Sequence, residues 1–287
     1  MGKLTDEQKL SIVKKYLDGT TQYQLSKKYG VVQNSIQSIL KVRNVPKRDN
    51  RKYQFNTNYF DEINTEEKAY WLGFIYAEGN LHNNTLAIKL HKDDEAHLIL
   101  FKESIGSQHP IRPIAKKDAV VFKISWCGWS ATLKKVGVVP NKHEKIKFPN
   151  IAECFQTHFI RGFFDGGGWI TCHQPKDMIR LAWNIGFCSC SRDFISVLKN
   201  KIDLGGSITE KRYKTKQGIS KSAFQLQYGG NKKVGNILDR LYQDATIYLK
   251  RKHDLYHSFC EAASAPKGKR RIASKRDNFG RFCKELK

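Results

Sequence analysis

Acidic residues are scarce in this chain: 27 Asp and Glu stand against 51 Lys and Arg, a formal net charge of +24 over 287 residues. Such an excess attracts polyanions and repels a second copy of the same surface, so nucleic acid is the partner it points to. No run of about 18 apolar residues is present, and no basic amphipathic helix gathers the charge on one face; both absences argue against a membrane partner. Met1 to Leu10 lack the apolar core of a secretory signal, so secretion is not expected. The seven cysteines (Cys127, Cys154, Cys172, Cys188, Cys190, Cys260 and Cys283) include no CxxC pair. They read as small thiols filling space in a reducing compartment rather than as zinc ligands or disulfides. The 40% hydrophobic content supplies cores for one large domain or two to three modest ones.

Residues 5 to 40 carry the pattern of three short helices. Thr5 is placed to cap the first, with Leu10, Val13 and Leu17 on one side before Gly19. Thr21 opens the second, Leu25 lies a turn on, and Gly30 closes it. Val31 turns inward, and the third helix, over 33–41, buries Ile36, Ile39 and Leu40. This is the order of a helix-turn-helix, whose last helix enters a DNA major groove. Gln33, Asn34, Gln37 and Lys41 are then the groove-facing side chains, since amides pair with adenine edges and Lys takes guanine or phosphate. A three-helix packing module with a solvated polar face is the bland alternative. The stretch KVRNVPKRDNRK that follows is basic, contains a proline and has no apolar periodicity, as expected of a linker tracking a phosphate backbone.

Beyond the linker the chain repeats itself. WLGFIYAEG (71–79) and FIRGFFDGGG (159–168) are two glycine-bearing apolar segments, each after a polar helix-starting stretch and each before strand-like sequence. The order in both halves is helix, two strands, helix, two strands, helix: a duplicated αββαββα unit of the α/β (α+β) class. In the strands Leu86, Ile88 and Leu90 alternate with Ala87, Lys89 and His91. Leu181, Trp183, Ile185 and Phe187 alternate with Arg180, Ala182 and Asn184, and Phe224 and Leu226 alternate with Gln225 and Gln227. One face of each sheet is therefore apolar, and the other displays Lys, Arg, Asn and Gln suited to bases and phosphates, or simply to water.

With these residues in view, the chain resembles the LAGLIDADG homing endonucleases of the single-chain, two-repeat kind over residues 60–256. The resemblance rests on WLGFIYAEG, HFIRGFFDGGGWI, VGVVPNKHEKIKFP (136–149) and DATIYLKRKHDLY (244–256), in that order. The helix-turn-helix lies outside that core and resembles an accessory module of some phage and intron members. The organisation implied is residues 1–45 reader, 46–60 basic linker, 61–150 first repeat, 151–260 second repeat and 261–287 basic tail. The fold implied is a pseudo-symmetric saddle, monomeric, with two sheets along a long asymmetric stretch of duplex DNA. Gly73 and Ala77, with Gly162 and Gly166, are small because the motif helices pack closely. The last acid of each motif holds a divalent cation, Mg²⁺ or Mn²⁺, which activates water. A cytoplasmic setting in a bacterium or phage is expected, with nuclear and organellar settings open.

The first motif ends in Glu78, one methylene longer than the family's aspartate and still able to hold metal. The second ends in Gly167, which has no side chain to ligate anything. Asp165, two positions earlier and matched by Tyr76 in the first copy, points to another side of the helix and, by the resemblance, packs or caps the helix pair. Cleavage is therefore expected to be lost or biased to one strand. Lys89, Lys123, Arg180, Lys211 and Arg212 are candidates for polarising or contacting phosphates, and Lys250, Arg251 and Lys252 for a helix running along the backbone. His158 and His173 read as packing or surface residues. A basic tail follows from residue 262. Two other functions remain open: a regulator that binds DNA without cutting it, and an RNA-binding splicing helper for an intron.

Overall fold

A computed structural model describes residues 4–46, 52–140, 145–174, 181–214, 218, 220–264 and the pairs 275–276 and 282–283. Arg180, residues 47–51 of the basic linker and most of the tail lie outside the described residues. The chain divides into two compact units, Met1–Lys52 and Tyr53–Lys287.

The first unit holds α1 (Asp6–Leu17), α2 (Gln22–Tyr29) and α3 (Gln33–Val42). Thr5 and Thr21 cap α1 and α2, and Gly30 closes α2 at φ 65, a left-handed conformation that glycine adopts without strain. Ile12, Tyr16, Leu25, Ile36 and Leu40 form the core, with Val13, Val31 and Ile39 partly buried against it. One expectation is corrected. Leu10 and Leu17 are 53% and 60% exposed, and Ile12 and Tyr16 are the residues of α1 that turn inward. Both sets have helical spacing, so periodicity did not distinguish them; the partners on α2 and α3 chose the face that brings a bulky aromatic inward.

The second unit runs α4 (Glu66–Glu78), β1 (Gly79–His82), β2 (Thr85–His91), a short 3₁₀ turn (Lys92–Asp94), α5 (Glu95–Ser104), β3 (Ile111–Pro113), β4 (Ala119–Ser125) and α6 (Cys127–Lys135). It continues with α7 (Glu153–Gly167), β5 (Trp169–His173), β6 (Ala182–Ser189), α8 (Arg192–Ile202), β7 (Ser207–Lys214), β8 (Ser220–Gly229), α9 (Asn231–Tyr242) and α10 (Lys250–Ser264). A two-residue pairing of β9 (Lys275–Arg276) with β10 (Phe282–Cys283) follows. The result is two similar sheet-and-helix modules. Their four-stranded sheets have the corresponding orders β1-β2-β4-β3 and β5-β6-β8-β7, with every neighbouring pair antiparallel.

The motif helices α4 and α7 join the modules. Each is buried all round over its middle, Ala69–Tyr76 in one and Phe159–Asp165 in the other, which suits α4, apolar on every side, and sets the charged Arg161 and Asp165 inside α7. A Cβ at Gly73 would lie 2.0 Å from the Phe159 carbonyl oxygen, and one at Gly162 would lie 1.9 Å from that of Tyr70. A Cβ at Gly166 would meet the Ala77 methyl at 2.5 Å. The helices therefore touch backbone to backbone, through reciprocal positions of the two copies. At Gly167 the same construction meets only the Ala77 methyl at 3.4 Å and the Cys188 carbonyl at 3.9 Å, ordinary contact distances. Gly162→Ala is accordingly expected to cost about 3 kcal/mol, because a rigid backbone oxygen must yield. Gly167→Ala should be neutral or stabilise by about 0.5 kcal/mol through reduced chain entropy. Urea denaturation of the full chain measures both; equal stability of the two variants would contradict the backbone contact.

Candidate nucleic-acid interface and the paired helix ends

The glycine contact brings the C-terminal ends of α4 and α7 together, so that each helix leads at once into the first strand of its module. Glu78, half-buried, is the last residue of α4, and Gly167 the last of α7. A Cβ at Gly166 would lie 3.2 Å from Glu78 Cγ, which places the Glu78 side chain against the end of α7. Cap amides finish both helices: Gly79 N–H donates to the Ile75 carbonyl, and Gly168 N–H donates to that of Phe164 at 2.7 Å.

The segment 246–252 clamps this pair through polar contacts that the sequence did not announce. Glu66, in the first turn of α4, accepts from Thr246 N–H at 3.0 Å and from Arg161 Nη2 at 2.6 Å. Arg161 is 2% exposed and also donates to the carbonyls of Ile247 and Leu241. Asp165 is fully buried and accepts from Tyr70 OH at 2.7 Å, Leu249 N–H at 2.7 Å and Tyr242 OH. Burial raises its carboxyl above the usual aspartate value, while Lys252 and the three donors oppose that shift. Tyr70 OH also lies 2.9 Å from His97 Nε2, and burial drives the His97 imidazole down to about 3.

Lys252 calls for a correction. α10 does begin at Lys250, but the Lys252 ammonium is 2% exposed and points into the protein, away from any external phosphate. It donates to the Phe164 carbonyl and, at 2.6 Å, to the Gly168 carbonyl, so a cation sits on the carbonyl end of α7 as the helix dipole favours. Burial pushes it down to about 7, with Asp165, Glu78 and Asp94 holding it up and Arg251 pushing the same way as burial. Arg251 is likewise engaged, bonding Asp94 at 3.0 Å, whereas Lys250 is exposed and pairs with Asp254. The available signal was charge inside an apolar motif: Arg161 and Asp165 stand where the first copy has Leu72 and Tyr76, and a buried charge needs a partner.

The strands sort their side chains by parity. In the first sheet Leu86, Ile88, Leu90, Val120, Phe122 and Ile124 are buried. The other face carries Asn80, His82, Lys89, Arg112 and Lys123, all exposed. Pairing sets Asn80, Ala87 and Lys123 in one row and Lys89, Val121 and Arg112 in the next. In the second sheet Gln227 faces Gly186 on one side and Ser207 on the other, while Gln225 faces Cys188 and Thr209. Gln227 donates to Gln225 at 3.0 Å. Lys211, paired with Ala223, shares this face.

Arg212 does not share it. One residue along β7, it pairs with Ser222, has the parity of the half-buried Ile208 and bonds Glu210 at 3.2 Å. Adjacent strand residues face opposite ways, so Arg212 stays exposed but on the other side of β7 from Lys211. Among the described strand residues, neither outward face carries a carboxylate. His173 is exposed at the end of β5, and His158 lies 3.1 Å from Arg161 Nη1 with burial lowering its pKa. In the first unit Gln33, Asn34, Gln37 and Lys41 are exposed on α3, and none of its residues is acidic.

The donor set does not fit the divalent cation that the resemblance implies. Glu78 brings one carboxylate to the paired helix ends and position 167 brings none, while Asp165 is committed to three buried donors. Among the described residues no group of three or more His, Cys, Asp or Glu side chains is placed to hold a metal ion.

The buried lysine has a measurable consequence. In the folded chain Lys252 releases its proton near pH 7, and in the unfolded chain near 10.5. Between these values the unfolded state holds the additional proton, so stability rises with pH, by up to about 1.4 kcal/mol per unit. Urea midpoints should therefore increase from pH 7.5 to 9.5, and Lys252→Met should flatten that slope. An unchanged slope in the variant would assign the titration elsewhere.

No family model matches the chain, and no curated protein matches it. Solved structures do. The I-LtrWI LAGLIDADG homing endonuclease bound to target DNA is 13% identical, covers 72% of this chain and 90% of its own, and superposes with a TM-score of 0.46. I-SmaMI bound to an uncleaved DNA target in the presence of calcium ions is 12% identical over 67% of this chain and 89% of its own, at 0.47. The LAGLIDADG meganuclease I-CpaMI bound to uncleaved DNA is 14% identical over 67% and 89%, at 0.45. These three are among the solved structures to which the chain is similar.

Proposed function

We propose that the protein binds double-stranded DNA site-specifically, as a LAGLIDADG homing endonuclease whose cutting is lost or confined to one strand. The observation that carries the binding is the pair of sheet faces, basic and amide-bearing in both modules and without a carboxylate among their described strand residues. Lys89, Lys123, Arg112 and Lys211 supply cations for phosphates, while Gln225 and Gln227 supply amides for base edges. In this reading the two αββαββα modules are the halves of a monomeric saddle with pseudo-twofold symmetry, lying on a long asymmetric target. The first unit is a helix-turn-helix that adds contacts through Gln33, Asn34, Gln37 and Lys41. The setting is the cytoplasm of a bacterium or a phage-infected cell.

The limit on cleavage follows from chemistry. Two strands need a carboxylate at each helix end, and Glu78 supplies only one of them. Since a Cβ fits at 167, packing does not demand the glycine there, unlike those at 73 and 162.

The test uses duplexes recovered by the full chain from a random library. Affinity should fall steeply with salt, as expected when several phosphates are neutralised, and structured RNA should compete poorly. With Mg²⁺ or Mn²⁺ the protein should nick at most one strand. Gly167→Asp should gain double-strand cutting, and adding Glu78→Gln should remove it. Wild-type double-strand cutting as fast as that of Gly167→Asp would overturn the catalytic half of this reading.

A further inference from the structure

Two of the three helices in the first unit begin with a reciprocal cap. Thr5 Oγ1 accepts from Gln8 N–H at 3.2 Å while Gln8 Oε1 accepts from Thr5 N–H at 2.9 Å. Thr21 and Gln24 repeat the arrangement at 3.2 and 3.0 Å. The third helix departs from it. Its N-cap is Val32, in the extended conformation a cap requires (φ −70, ψ 150) but with no side-chain hydrogen bond. Valine is among the poorest residues at this position, where Ser, Thr, Asp or Asn would stabilise the helix. The same side chain is 57% exposed. A residue that forgoes a cap and leaves a branched apolar group in water breaks two local rules at once, and departures of that kind concentrate at functional positions.

Its surroundings indicate what it meets. Gln33, Asn34 and Gln37 are exposed beside it on α3, followed by Lys41. No acidic residue occurs from Gly19 to Pro46, a span that also contains Lys27, Lys28 and Arg43. Such a surface complements a polyanion and opposes an acidic protein partner. The exposed Tyr23 ring has Lys27 Nζ over it at 5.6 Å, whereas Val32 lies among amides. On the edges of the DNA major groove the apolar feature is the thymine C5-methyl, and paired with it adenine presents the donor and acceptor that an amide matches.

We propose that Val32 is a specificity-determining residue that packs on a thymine methyl in the major groove, next to an A·T pair read by Gln33 or Asn34. The proposal rests on reading the first unit as a DNA-binding module and adds the base class that α3 selects.

The experiment takes the duplex recovered by the full chain and replaces each thymine in turn with deoxyuridine, which removes the methyl alone. Fluorescence anisotropy then measures affinity for the wild type and Val32→Ala. One deoxyuridine should weaken the wild type about fourfold, the worth of one buried methyl group, and should leave Val32→Ala unchanged. Val32→Ser should slow amide exchange at residues 34–36 by supplying the missing cap, yet bind the original duplex several-fold more weakly than the wild type. Indifference of the wild type to every deoxyuridine, or an undiminished deoxyuridine effect in Val32→Ala, overturns the assignment. A combined Gln33→Ala, Gln37→Ala and Lys41→Ala variant separates the two levels. If it binds like the wild type, the module's DNA reading fails and the proposal with it. If it binds weakly while the deoxyuridine effect is absent, only the role of Val32 fails.

Discussion

The second unit depends on one contact, the backbone-to-backbone approach of α4 and α7 at Gly73 and Gly162. Helices separated by side chains usually lie 8–10 Å apart, and here the side chain is missing where each helix meets the carbonyl of the other. That approach sets two helix ends side by side and fixes where the first strand of each module starts. Both sheets are then displayed from a common centre, each with its apolar face covered and its polar face outward. A bulkier residue at either glycine would displace the frame on which both outward faces are built.

Sequence symmetry ends at that contact. The first motif helix is apolar at positions 72 and 76 apart from the Tyr76 hydroxyl, which donates to the Val136 carbonyl. The second carries Arg161 and Asp165 at the matching places, both buried and both bonded to the segment that leads into α10. Lys252 adds a cation on the last carbonyls of α7. Charge buried in this way is costly unless every donor and acceptor is matched; matched, it specifies one docking of α10 and excludes others. The second half thus carries the more elaborate polar support around a helix end without a carboxylate, and the first half ends its motif helix in Glu78.

Much of the frame was legible in order and type. The capping threonines, the glycines that end or join helices, and the strict alternation in residues 86–91 and 224–227 each act over a few residues, and the folded chain honours them. Legibility stopped where the deciding atoms came from far along the chain. Leu10 and Ile12 offered equally good helical stripes, and contacts with Leu25 and Ile36 chose between them. Lys252 looked like one more surface cation in a basic run; the carbonyls of Phe164 and Gly168, more than eighty residues earlier, withdrew it from solvent. Lys211 and Arg212 offered the same chemistry, and the strand period alone sets them on opposite faces.

The amino-acid sequence by itself determined the charge that calls for a polyanion, the duplicated order of elements, the need for small residues at 73 and 162, and the absence of a carboxylate at 167. These are properties of residue types and short spacings, and no folding is required to state them. Only the tertiary structure decided which lysines face outward, which buried charges support the helix ends, and that glycine is sterically required at 162 but not at 167. Those outcomes depend on atoms distant in sequence brought within a few ångströms, and on the high cost of leaving a buried polar group without a partner.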